Sequence, residues 1–508
     1  MKRFSWLCLS LLALLTLQGC SKPTTAQNQP PLTIFCAAGL RKPLESVAAA
    51  FHSEYGVEVQ FQFGGSGTLL SQIKVSGSGD LFVSADEASV QIARQSSHIH
   101  EVIPFATQTP VIGVRAGNPK SVRTFEDLFQ KNLRVALANP EATSIGKTVR
   151  TAAASRWETL AGQVAVMKPT VTEVAADLSL GAVDAAVLWD SLVPQFQGIE
   201  SVHVPQLDAH PERASAAVLT ASKHPATALK FARFLAAPEK GGALMAAAGY
   251  VPVPGDRWSP KPTLTLYSGG VNRPAVESLL QRFATREDID ITTVFNGCGV
   301  LCATMKTMGS TANPQYPDAY YACDLCFIPP VAEQFPEAVL LTETEIGIAV
   351  RQGNPQNIRT LADLAQPGLR VGLCNAEQST LGYMTRGMLQ STGLFESVRK
   401  NVVVEVPTAD FLVNQMRAGA LDAVIVYKVN TASENAPLEF HPITHPGAKA
   451  VQPFAVRKDS PHRQLALRLL DYLRAHRTDF EKAGFLWRGN TVPIQSKSIE
   501  IPEWLREK

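Results

Sequence analysis

Leu32-Thr33-Ile34-Phe35, followed by Ala37-Ala38-Gly39, is echoed 232 residues further on by Leu264-Thr265-Leu266-Tyr267, followed by Gly269-Gly270-Val271. Each stretch reads as a strand running into a turn, and each leads into a helical pattern with apolar residues at i, i+3, i+4 and i+7. These are Leu44, Val47, Ala48 and Phe51 in the first copy and Val276, Leu279, Leu280 and Phe283 in the second. Further pairs follow in the same order: Gly65-Ser66-Gly67 with Gly297-Cys298-Gly299, Asp80-Leu81 with Asp324-Leu325, and Gly117-Asn118-Pro119 with Gly353-Asn354-Pro355. Leu133-Arg134-Val135 with Leu369-Arg370-Val371, then Gly181-Ala182-Val183-Asp184 with Gly419-Ala420-Leu421-Asp422, carry the correspondence through most of each copy. So long a period is no solenoid unit and marks duplication of a whole globular module. The join falls where prolines cluster, between residues 252 and 262.

Inside each module, short β-rich runs such as 57–63, 111–114 and 185–188 alternate with helical patterns. That alternation predicts α/β architecture, with mixed, mostly parallel sheets flanked by helices. A chain of 508 residues has length for roughly three or four compact units, which two modules of two lobes satisfy. The expected modules are 32–255 and 262–495, and ligands in such sheets bind beyond the strand ends.

At the N-terminus, Lys2 and Arg3 precede an apolar run over 4–15, too short to span a bilayer but suited to the core of a signal peptide. Leu17-Gln18-Gly19-Cys20 closes it in the manner of a lipobox, which makes 1–20 a lipoprotein signal peptide and Cys20 the lipidated residue. Residues 21–31, rich in Pro, Thr, Gln and Asn, read as a flexible tether. A net charge of +2, with 18% charged residues and no basic stripe, leaves no footprint for nucleic acid or for a polybasic membrane surface. The expectation is a soluble body in the periplasm or cell envelope, membrane-anchored through Cys20 and carrying a small cleft.

Gly64-Gly65-Ser66-Gly67 stands between a strand and a helical pattern over 68–74, offering a hydroxyl and backbone N–H groups at a helix start. That is an anion cradle in principle. Together with Ala37-Ala38-Gly39-Leu40, Asp80-Leu81-Phe82-Val83-Ser84-Ala85, Asn139-Pro140-Glu141 with Gly146, and the run 181–189, it resembles the molybdate-binding periplasmic protein family over about the whole first module. The resemblance implies two tandem bilobed periplasmic-binding-protein (type II) modules and a receptor that hands molybdate, or near-isosteric tungstate, to the inner-membrane permease of an ABC transporter. It further implies a tetrahedral dianion held dehydrated between the lobes by neutral donors: serine hydroxyls, backbone N–H groups and a tyrosine hydroxyl. Carried over by motif, the donors fall at Gly39 and Ser66 in one lobe and at Ile145, Val171 and Trp189 in the other. Gly39 stands for the family's first-loop serine and Trp189 for its tyrosine, which removes two hydroxyls and leaves an indole N–H. The matching positions of the second copy are Val271, Cys298, Leu381, Ala409 and Tyr427. No cofactor is implied.

Cysteines gather in the second copy, as Cys298-x3-Cys302, Cys323-x2-Cys326 and Cys374. Structural disulfides suit an exported chain, a metal or redox site suits the spacing, and free buried thiols are the third reading. The alternative function is accordingly a binding protein for another anion or a metal ion. Tyr320-Tyr321 read as core or rim aromatics, and His441 and His445, with Pro442 between them, as surface residues. Enzyme motifs fail: Glu141 stands where a P-loop ending at Gly146-Lys147-Thr148 needs glycine, and Thr68 where a nucleophile elbow needs it.

Overall fold

The computed structural model describes residues 30–309, 311–431, 438–489, 492–501 and 503. The expected signal peptide, Cys20 and most of the tether lie outside the described residues. In the first lobe, strand Leu32–Ala37 pairs in parallel with Val59–Gly64 and Leu81–Ser84. Antiparallel strands Glu212–Leu219, Ile99–Gln108 and Val251–Pro252 complete a six-stranded sheet. The second lobe is a five-stranded sheet in the order Val166–Lys168, Val135–Ala138, Ala185–Trp189, Pro110–Arg115, Ile199–Val202. The sheets are thus mixed, parallel among the first strands of each lobe and antiparallel where the chain crosses between lobes. Strands Leu81–Ser84, Val135–Ala138 and Ala185–Trp189 are buried along their whole length, because helices cover both faces.

The second module repeats this plan with a fused crossing strand and an added edge strand, Ile494–Gln495. Where the first chain crossing is split at Thr109 between two strands, the second is one strand, Glu337–Arg351, which joins both sheets into a single eleven-stranded one. The helices predicted over the first apolar patterns are Arg41–Tyr55 and Arg273–Glu287, each 15 residues long, with the named apolar positions buried. The first of them stops at Gly56, whose φ of 67° is the left-handed geometry that ends helices cheaply.

One sequence pairing is corrected. Asp80 accepts the Thr33 N–H and the Ser222 hydroxyl, and the residue that does the same in the second module is Asp318, which accepts from Thr265 N and Ser460. Asp324 instead caps the next turn through Cys326 N, as Asp86 does through Ser89 N. The connection after the glycine-led helix runs over 309–318 rather than 77–80, and the extra residues displace the register. Strand Ala319–Tyr321 therefore answers Leu81–Ser84, and Cys323 answers Ala85. Tyr320 and Tyr321 are fully buried in that strand. His441 and His445 are half-buried rather than surface residues and diverge, one near Asn354 and Glu439, the other bonded to Ser391.

Arg233 and Arg468, on the last long helix of each module, both reach the buried carboxylate of Glu287 and clamp the modules together. Asp256, in the join, accepts Gln464 N and Leu465 N and so caps the second of those helices.

Candidate functional site

Between the lobes of the first module lies a cavity of about 20 Å³, and Gly39, Ser66, Ile145, Val171 and Trp189 all line it. Four helix starts bring them there. Gly39 lies in the turn Ala38–Leu40 that feeds Arg41–Tyr55, Ser66 opens Ser66–Ser76, Ile145 is second in Ser144–Ala153, and Val171 opens Val171–Ser179. Trp189 ends a central strand beneath them. Helix N-termini carry partial positive charge and point N–H groups outward. No charged side chain lines the cavity among the described residues. A small anion is what such a lining can hold.

Ser66 sharpens this. Its side chain is 1% exposed and its Oγ has no hydrogen-bond partner. A buried hydroxyl left alone costs about 1–3 kcal/mol, which a ligand oxygen would recover. Of the other polar side chains of the lining, Gln108, Thr143 and Thr170 are committed. Gln108 Nε2 donates to Ala85 O at 3.1 Å, its Oε1 accepts from Ser191 at 3.1 Å, and Thr143 and Thr170 cap their helices. Tyr250 donates to Gly39 O at 2.9 Å and pins the first loop, and burial pushes its hydroxyl pKa up. Tyr250, Gln108 and Ser191 were missed in the sequence, and no local motif marks them.

The lobes touch at the mouth of the cleft. Gly67 N and Thr68 N donate to Ala142 O at 3.0 and 3.4 Å, and a Cβ at Gly65 would stand 2.2 Å from that same oxygen. The glycines of the Gly-Ser-Gly turn are needed for closure against the opposite backbone.

The second cleft repeats the scaffold and changes the chemistry. Val271 lies in the turn before Arg273–Glu287, Cys298 opens Cys298–Met308, Leu381 is second in Thr380–Ser391, Ala409 opens Ala409–Arg417, and Tyr427 ends Ala423–Tyr427. All five are buried. Strand register places Thr344 where the first module has Gln108, and Thr380 answers Ser144. Thr344 Oγ1 and Tyr427 OH are buried with no hydrogen-bond partner, and Thr380 Oγ1, also buried, lies against the Cys298 and Cys323 sulfurs.

Cys298 and Cys323 meet in this cleft with their sulfurs 3.1 Å apart, and Cys323 N donates to Cys298 Sγ at 3.0 Å. Cys302 turns away toward Tyr320 OH and Phe327 O, Cys326 sits in the turn capped by Asp324, and Cys374 ends strand Val371–Cys374. The six described cysteines are free thiols, and no cluster of three metal-ligating side chains occurs among the described residues. Burial would raise the Cys298 thiol, but hydrogen bonding from Cys323, with Thr380 and Tyr320 close by, outweighs it and lowers the pKa. Cys323 is raised by its side-chain bond with Cys298 and by burial.

Residues 32–251 and 264–486 each match a family described as bacterial extracellular solute-binding protein. The chain belongs to that family. This solute-binding protein is 27% identical over 216 residues to the molybdate-binding protein ModA of Mycobacterium bovis, an overlap of 42% of this chain and 81% of the relative. ModA of Escherichia coli is 28% identical over 177 residues, 34% of this chain and 59% of the relative. Among solved structures, the periplasmic molybdate-binding protein of Azotobacter vinelandii is similar at 22% identity and a TM-score of 0.37, covering 43% of this chain and 98% of its own. Iron-bound HitA from Pseudomonas aeruginosa is similar at 19% identity and a TM-score of 0.38, covering 44% of this chain and 86% of its own. Each relative is matched over about the length of one module of this tandem solute-binding protein.

Proposed function

We propose that the chain is an extracytoplasmic receptor that captures a small tetrahedral oxyanion, molybdate or tungstate, in its first cleft for uptake through an ABC transporter. In this reading residues 1–20 direct export, Cys20 carries a lipid anchor, 21–31 form the tether, and 32–255 and 262–495 are the two modules. The observation that carries it is the unpartnered Ser66 hydroxyl in an uncharged cavity lined by four helix starts. Backbone N–H groups and neutral dipoles bind a dianion without a counter-charge, because the helix dipoles supply the field. Gly39, Ser66, Ile145, Val171 and Trp189 are the proposed contacts. Closure of the lobes around the ion then presents the loaded form to the permease. The names of the curated relatives support molybdate as the first ligand to try.

Calorimetry on the protein without residues 1–20, titrated with molybdate, tungstate and sulfate, tests this directly. Tight, stoichiometric binding of molybdate or tungstate that depends on Ser66 is expected. Binding of none of the three would refute the oxyanion reading and leave the fold untouched.

A further inference from the structure

We infer that the second cleft is a dithiol site for a thiophilic, uncharged oxyacid of the arsenous type, held covalently by Cys298 and Cys323 and by hydrogen bonds from the surrounding hydroxyls. The scaffold is that of the first cleft, but its serine is replaced by Cys298 and its alanine at position 85 by Cys323. A cleft evolved only to lose its ligand has no use for polar side chains, yet two buried hydroxyls, on Thr344 and Tyr427, have no partner within the protein, and a third, on Thr380, faces only the two sulfurs. All three stand at positions whose counterparts line the first cavity, Gln108, Ser144 and Trp189. Something with oxygen atoms satisfies them.

Charge argues against a dianion in this cleft. Asp410 follows Ala409 where the first module has Thr172, and its Oδ2 stands 3.9 Å from where a Cβ at Gly270 would be, on the cleft's first turn. Its other oxygen accepts from Asn430 at 3.2 Å. A half-buried carboxylate beside the ligand, its charge offset in part by Arg273, disfavours a dianion more than a neutral acid.

Sulfur geometry argues for the element. Two thiolates in a tetrahedral zinc site, with bonds of about 2.3 Å, lie roughly 3.8 Å apart, and a linear two-coordinate ion spreads them further. Sulfurs 3.1 Å apart instead subtend close to a right angle at a centre so bonded, which is the shape of a trivalent pyramidal centre. The absence of a third metal-ligating side chain among the described residues leaves the remaining bond to an oxygen.

The chemistry balances without an oxidant. Each thiol replaces one hydroxyl of X(OH)3, so that X(OH)3 and two thiols give (Cys-S)2X–OH and two waters, with X trivalent throughout. Cys298, at a helix start and accepting from Cys323, is the first nucleophile. Cys323 attacks second, its proton leaving with the second water. The residual X–OH then meets the hydroxyls of Thr380 and Tyr427.

The test is arsenite added to the protein without residues 1–20, kept reduced with a phosphine rather than a competing dithiol. One equivalent should bind, arsenic X-ray absorption should show two sulfur neighbours, and arsenite should protect Cys298 and Cys323 alone from alkylation in the unaltered protein. Cys298→Ser or Cys323→Ser should weaken binding roughly 10²- to 10⁴-fold, because one of two tethers is lost. Cys302→Ser and Ser66→Ala should leave it unchanged, which separates this site from the first cleft whatever anion that cleft takes. Free thiols that bind no arsenite, protection of other cysteines, or a Cys298–Cys323 disulfide that phosphine does not open would each overturn the inference.

Discussion

Replacing Gly65 by alanine separates the closing of the first cleft from the folding of its lobes. Gly65 has φ −71° and ψ 146°, a conformation open to any residue, so the substitution puts no strain into its own lobe. Across the cleft the added Cβ stands 2.2 Å from Ala142 O and 3.0 Å from both Ala142 C and Thr143 Cγ2. An ordinary C···O contact needs about 3.3 Å, so the lobes must part by about 1 Å at this point. The Gly67 N–H···O=C Ala142 bond across the same gap, 3.0 Å long, is then lost. One such bond is worth about 1 kcal/mol and an overpacked contact costs about 1–3 kcal/mol, for a total of about 2–4 kcal/mol charged against the closed form. Molybdate affinity in calorimetry should therefore fall roughly 30- to 700-fold. The ligand-free protein should unfold within about 0.5 kcal/mol of the parent, since nothing inside either lobe is touched. Gly297→Ala, whose Cβ would meet Gln378 O at 2.2 Å, should spare the first cleft and affect only the second. A folded Gly65→Ala protein that binds molybdate with parental affinity would refute both the closed geometry and the role given to it.

Ser66→Ala should weaken molybdate binding roughly 10- to 140-fold, the worth of one hydrogen bond to a charged ligand at about 1.5–3 kcal/mol, with thermal stability unchanged or slightly raised. Glu287→Gln leaves Arg233 and Arg468 buried without their counter-charge and should cost about 3–5 kcal/mol in denaturant unfolding. Scanning calorimetry of that variant should resolve separate transitions for the two modules, and a single unshifted transition would remove Glu287 from their interface. The Arg134 guanidinium holds the Asp184 carboxyl below its usual range, and Arg370 does the same for Asp422. A depressed carboxylate contributes stability that is complete above its unfolded value, near pH 4, and is lost as pH falls through the lower folded value. Asp184→Asn should thus flatten part of the acid-side loss of stability, read as the melting temperature between pH 5 and 2.

Local patterns in the sequence carried a large part of the fold. The duplication, the α/β order and the helix that follows the first Gly-Ser-Gly turn are written in short-range signals: apolar residues at helical spacing, glycines at turns, small polar residues at caps. The five first-cleft positions came from resemblance to a family, and they line one cavity because that order of strands and helices delivers helix starts to one edge of each sheet. The pairing of Asp80 with Asp324 went astray for the same local reason, since Asp-Leu occurs in both places and the bonds from Thr265 N and Ser460, with the strand register, identify Asp318 as the true counterpart.

What the sequence by itself determined, then, is the duplication and the α/β class, both of which follow from interactions between residues a few positions apart, while the cleft positions rested on resemblance to a family. Tertiary structure alone decided that Cys323 meets Cys298 across 25 residues, that Tyr250 pins Gly39 across 211, and that Arg233 shares Glu287 with Arg468 across the join. It also decided which hydroxyls stay without partners. Such contacts depend on how finished sheets and helices pack against one another, and packing leaves no periodic trace in the chain.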